Sequence, residues 1–111
     1  MVRIIAFIRP HKLEQVKSAI ASLGITGMNV ADARGTGNSP ERTHWLGGGE
    51  APALPIKSRI EVVVTDDLLE PILQAIEENA RTGEPGDGKI FVERIVDAIR
   101  IRTGERGETA V

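Results

Sequence analysis

Residues 58–80 read Ser58-Arg59-Ile60-Glu61-Val62-Val63-Val64-Thr65-Asp66-Asp67-Leu68-Leu69-Glu70-Pro71-Ile72-Leu73-Gln74-Ala75-Ile76-Glu77-Glu78-Asn79-Ala80, and two periodicities in this run decide the fold. Over 58–65, Ile60, Val62 and Val64 recur at every second position, which places them on one face of a strand. Asp66 or Asp67 can cap a helix that runs to about Ala80. Its inward face is Leu69, Ile72, Leu73, Ile76 and Ala80. Pro71 falls near the first turn, where it costs less than in a helix interior, and Gly83 closes the helix.

Upstream the same sequence of events occurs once more. Residues 2–9 are rich in Ile and predict a buried strand, broken at Pro10 and His11. From 12 to 23, Leu13, Val16, Ile20 and Leu23 keep helical spacing, with Glu14, Gln15, Lys17 and Ser18 outside. Gly24 fits the C-cap. Residues 25–36 predict a second strand, entered through Gly27 and left through Gly35 and Gly37. The stretch 38–55 holds three consecutive glycines and three prolines, and no packed element is expected there. Downstream, 89–92 and 96–102 are the last predicted strands, and the tail from 103 is polar and frayed. The order β-α-β, long loop, β-α-β is that of a ferredoxin-like α+β domain over 1–111, with both helices on one face of an antiparallel sheet.

Composition agrees. The 111 residues suffice for one domain; 41% are hydrophobic and only 3% aromatic, so Ile, Val, Leu and Ala must build the core. A net charge of −2 supplies no global field for nucleic acid or an anionic membrane, so any basic function is local. There is no cysteine, which excludes disulfides and thiolate chemistry. The apolar start is too short for a membrane span and no signal-cleavage pattern follows, so a cytoplasmic protein is expected.

Two local features carry chemistry. In Thr82-Gly83-Glu84-Pro85-Gly86-Asp87-Gly88-Lys89, the glycines allow φ > 0, so successive backbone N–H groups can face one anion, with Lys89 at the exit. A tight turn ending in a surface lysine is the plainer reading. In Arg100-Ile101-Arg102, strand alternation sets both guanidiniums on one face, roughly 7 Å apart. An exposed basic edge is again the plainer reading. Together, the two features favour an anion site. Enzymatic candidates are poor, since Glu77 and Glu78 sit on a helix where charges are normally solvated. An RNA-binding sheet would need more aromatics than Phe7 and Phe91. His11 and His44 lack the paired spacing of metal ligands, so no metal site is expected.

The run Thr82–Val92, TGEPGDGKIFV, with Ile99-Arg100-Ile101-Arg102-Thr103-Gly104-Glu105, resembles the PII (nitrogen regulatory P-II) signal-transduction family. Arg9-Pro10, Lys12-Leu13, Gly24-Ile25-Thr26-Gly27-Met28 and Gly35-Thr36-Gly37 agree with it too, so the resemblance covers nearly the whole chain. It implies a homotrimer of ferredoxin-like subunits with ATP or ADP in the inter-subunit clefts, and a long T-loop, here about 37–56, that binds partner proteins. By position, Gly86, Asp87, Gly88 and Lys89 would cradle the phosphates while Arg100 and Arg102 clamp them. Gly27, Met28, Asn29, Glu61, Val62 and Val63 would receive the adenine, and Gly35, Gly37 and Asn38 would form the T-loop base.

The chain departs from the family pattern in that loop. Asn38-Ser39 replaces a common Arg-Gln pair whose glutamine helps hold magnesium and 2-oxoglutarate, while Lys57 matches the lysine that pairs with 2-oxoglutarate. Lys57 and Ser39 are therefore the residues expected at a small co-effector anion, 2-oxoglutarate or bicarbonate, and magnesium beside ATP loses a ligand. The modifiable Tyr-Arg-Gly motif is replaced by His44-Trp45-Leu46-Gly47-Gly48-Gly49, and with no tyrosine in the chain, tyrosine modification is excluded. These departures point to a divergent branch acting on a membrane transporter or metabolic enzyme, without catalysis of its own. Trp45, with His44, is the expected anchor on that partner.

Overall fold

The computed structural model describes residues 1–35, 42–44, 50–52 and 54–111, with the backbone alone for 42–44 and 50–52. Strand β1 (Val2–Ile8) leads through a short 3-10 turn at Pro10–Lys12 into helix α1 (Leu13–Ala21). Strand β2 (Asn29–Arg34) follows, then the short strands β3 (Arg42–His44) and β4 (Glu50–Pro52), strand β5 (Ile56–Val64), helix α2 (Leu69–Ala80) and strand β6 (Lys89–Arg94). The main sheet has the order β2-β5-β1-β6, every neighbour antiparallel. This is the expected ferredoxin-like arrangement.

Alternation along the central strands sorts the residues. Val2, Ile4, Ala6 and Ile8 of β1 and Ile60, Val62 and Val64 of β5 are buried, in the register Val2↔Val64, Ile4↔Val62, Ala6↔Ile60. Val16 and Ile20 of α1 and Ile72, Ile76 and Ala80 of α2 close over them, with Leu13, Leu69 and Leu73 packed at the rim. The intervening Arg3, Arg59 and Glu61 lie on the opposite, helix-free face, where Arg3 Nη1 donates to Glu61 at 3.3 Å and Arg3 Nη2 to Glu93 at 3.0 Å. Ile76 is 1% exposed and central to this core. Ile76→Ala is expected to cost about 2–5 kcal/mol, read as a lower urea midpoint with little change in slope.

Several expectations need correction. No strand forms over 96–102. Asp97 accepts hydrogen bonds from the Ala98 N–H and from Arg106, Ile99 forms an isolated bridge with Arg106, and the Arg100 carbonyl accepts the Gly104 N–H at 2.7 Å. The chain therefore doubles back, and Arg100 and Arg102 do not share a strand face. Val96 and Ile101, 99% and 98% exposed in this chain, lie in the segment whose alternation was read as a strand. Neither Asp66 nor Asp67 caps α2 with its side chain; Asp66 instead accepts from Arg94 at 2.6 Å, which holds its carboxyl below the usual range. Leu23 is exposed, and the second strand is shorter than expected. Within the long loop, β3 and β4 pair in the register Thr43↔Ala51, so this stretch contains a ladder that its glycines and prolines concealed.

Candidate functional site

The loop between α2 and β6 is built around Asp87. Its carboxylate accepts the Thr82 N–H at 2.8 Å, the Gly83 N–H at 2.9 Å, the Thr82 hydroxyl at 2.5 Å and Arg9 Nε at 3.1 Å. The Thr82 hydroxyl, foremost among these donors, holds the carboxyl far below the ordinary carboxylate range against a smaller opposing effect of burial. Asp87 is thus the staple of the loop, and its charge faces protein donors.

Gly86 and Gly88 have φ of +99° and +103°, a conformation that L side chains rarely adopt. At Gly88 space is as decisive as conformation. A Cβ there would lie 1.7 Å from the Phe7 carbonyl oxygen, so the loop is pressed against the end of β1. Two cations hold the loop from the sheet side. Arg9 Nη2 donates to the Pro85 carbonyl at 2.7 Å, and Lys57 Nζ donates to the Gly86 carbonyl at 2.7 Å. Among the described residues, the N–H groups of Gly86, Asp87 and Gly88 meet no acceptor.

A cleft of about 720 Å³ opens beside this loop, bounded among the described residues by Phe7, Arg9, Arg34, Gly35, Lys57 and the 84–89 segment. It gathers six of the residues singled out in the sequence: Gly35, Lys57, Gly86, Asp87, Gly88 and Lys89. Gly35 donates its N–H to the Pro55 carbonyl at 3.2 Å, closing the base of the long loop. Phe7 and Phe91 form one wall, ring centroids 6.2 Å apart and nearly perpendicular.

The other singled-out residues lie elsewhere. Asn29 pairs with Glu61 in the β2–β5 ladder, at the far end of that ladder from Arg34 and Ile56, which border the cleft. Met28 packs against the core, and the Val62 side chain is buried within it, so it presents no side-chain surface to a base. Val63 alternates with it onto the helix-free face, and Gly27 is exposed. Arg100 pairs with Glu105 at 3.5 Å in the C-terminal turn, while Arg102 is exposed. Neither borders the cleft. The expected anion pair and the glycine loop are therefore not brought together within one chain. Gly37, Asn38, Ser39 and Trp45 lie outside the described residues, as does the side chain of His44. Sequence reasoning missed Arg9 and Phe7 as site residues. Their period-two spacing along β1 and the residue after it, opposite in phase to Ile4, Ala6 and Ile8, was the available signal.

A family model described as Nitrogen regulatory protein P-II matches residues 1–105. The chain is 46% identical over 113 residues to the nitrogen regulatory protein P-II of Rhodospirillum rubrum, covering 100% of each. It is 46% identical over 110 residues to the P-II homolog of Arabidopsis thaliana, covering 97% of this chain and 56% of that protein. The crystal structure of Arabidopsis thaliana PII bound to citrate superposes with a TM-score of 0.78 at 41% identity, covering 98% of this chain and 87% of that one. With a family match across nearly its whole length and full-length relatives at this identity, the chain belongs to the nitrogen regulatory protein P-II family of signal-transduction regulators.

Proposed function

We propose that the protein is a homotrimeric regulator that binds the phosphates of ATP or ADP, and AMP more weakly, between subunits and reports occupancy to a partner protein. In this reading the N–H groups at Gly86 to Gly88 and the Lys89 ammonium meet the phosphates on one side. Arg100 and Arg102 of a neighbouring copy meet them on the other, with Gly27, Met28, Asn29 and the Glu61–Val63 strand of that copy beside the adenine. The T-loop, 37–56, carries the output, and Trp45 and His44 contact the partner, a membrane transporter or metabolic enzyme.

The observation that carries this reading is the separation of the two halves. Lys89 opens β6, and the chain leaves the sheet only at its other end, where the Ile95 N–H donates to the Met1 carbonyl at 3.1 Å. The two ends of this six-residue strand are five steps apart, roughly 17 Å at about 3.3 Å each. A head-to-tail ring of copies supplies each loop with its neighbour's arginines, and such heterologous contacts close into cyclic oligomers. Light scattering should give a trimer of the 12.0 kDa chain, and calorimetry should give one adenine-nucleotide site per chain. A stable monomer at micromolar concentration overturns the reading.

A co-effector anion held by Lys57 and Ser39 is the second reading: 2-oxoglutarate or bicarbonate, with or without magnesium. Lys57 and Arg9 on the cleft wall favour it, as does citrate in the Arabidopsis relative.

A further inference from the structure

We infer that Arg9 is a positioning residue for the phosphate loop: it fixes which way the loop's amides point. The inference rests on the nucleotide reading above and adds to it a residue that meets no phosphate itself.

The argument starts from the trans peptide, in which the C=O of one residue and the N–H of the next point in opposite directions. The Pro85 carbonyl is held by Arg9 Nη2 at 2.7 Å, so the Gly86 N–H points away from Arg9. The Gly86 carbonyl is held by Lys57 at 2.7 Å, so the Asp87 N–H points away from Lys57. Two consecutive amides are thereby oriented by cations that grip the oxygens of their own peptide units. Glycine at 86 makes this necessary. Without a side chain, its flanking peptides can rotate at little cost, and rotation turns oxygens to where a phosphate needs N–H donors.

Arg9 is the firmer of the two grips. Its planar fork reaches the Pro85 carbonyl with Nη2 and, with Nε at 3.1 Å, the Asp87 carboxylate that already gathers the N–H groups of Thr82 and Gly83. A hypothetical Cβ at Gly86 would stand 3.2 Å from Arg9 Nη2, so loop and guanidinium are in close contact. Arg9 itself follows directly on β1, and the 3-10 turn after it begins at Pro10, which gives the fork a rigid mount. A lysine here keeps the charge but lacks the planar fork, so charge and geometry are separable.

The test compares wild type, Arg9→Lys and Arg9→Met as full chains, each checked for native circular dichroism and oligomeric state. Calorimetry is run with AMP, ADP and ATP, and amide ¹H–¹⁵N spectra are recorded without ligand. Arg9→Met should shift the Gly86, Asp87 and Gly88 amide resonances and lower ATP affinity about ten-fold or more. The loss should grow from AMP to ATP, with Arg9→Lys in between. Unmoved amides, or an equal loss for all three nucleotides, overturn the inference. Should Arg9→Met fail to fold, Arg9→Lys decides through the same two readouts. If wild type binds no nucleotide, the function reading fails, while the ligand-free spectra still decide whether Arg9 orders the loop.

Discussion

Gly88→Ala is expected to be among the most damaging single substitutions in this chain, at roughly 3–5 kcal/mol. Two costs coincide there. The residue has φ of +103°, and the added methyl would sit 1.7 Å from the Phe7 carbonyl oxygen, a backbone atom of a central strand that cannot swing aside. Either the loop lifts from the end of β1 or the β1–β6 ladder slips at Phe7↔Lys89. Both displace the amides and Lys89, so the anion site should be lost along with the stability. Gly24→Ala isolates the conformational part, since Gly24 has φ of +86° with nothing within 4 Å of its added methyl. It should cost only about 1–2 kcal/mol and leave nucleotide titration unchanged. Urea unfolding of the pair checks this; equal losses would mean that contact with Phe7 does not constrain the loop.

Mixing two weakened variants should restore tight binding. Lys89→Ala damages one half of the proposed site and the double variant Arg100→Ala, Arg102→Ala the other. Each charge-assisted contact contributes about 1.5–3 kcal/mol, so Lys89→Ala should bind ten-fold weaker or more, and the double variant at least a hundred-fold weaker. When the two are unfolded together and reassembled into rings, random assortment gives roughly a quarter of the interfaces an intact lysine facing intact arginines. Calorimetry of the mixture should then show tight binding at about a quarter of the wild-type stoichiometry. A site completed within one chain gives no recovery at any mixing ratio, and that result would end the inter-subunit account.

What the sequence revealed, and what it hid, follow from the range of the forces involved. The β5–α2 unit was legible because burial of Ile60, Val62, Val64, Ile72 and Ile76 imposes local periods of two and 3.6 on the chain. The glycine loop was legible because φ > 0 selects glycine at 86 and 88. The segment after Ile95 was misread because its shape comes from polar closures, Asp97 to Arg106 and Arg100 to Gly104, which leave no hydrophobic period. Asp87 was placed among the phosphate ligands, and nothing local announces that Thr82, Gly83 and Arg9 would occupy its oxygens. Arg9 was overlooked as a site residue because its partners lie 76 and 78 positions away in the chain.

The ammonium of Lys57 has two claimants. It already donates one of its three N–H bonds to the Gly86 carbonyl, so an acid anion at the proposed co-effector site shares the ammonium with a loop oxygen. In that reading the two binding events are linked through one ammonium, and linkage is reciprocal: whatever the anion does to nucleotide affinity, the nucleotide does to the anion's. The sign depends on whether the anion leaves the Lys57–Gly86 hydrogen bond in place or pulls Nζ off the loop oxygen. Under the co-effector reading, an anion seated beside that carbonyl is the nucleotide's companion, and one that draws the ammonium away is its antagonist.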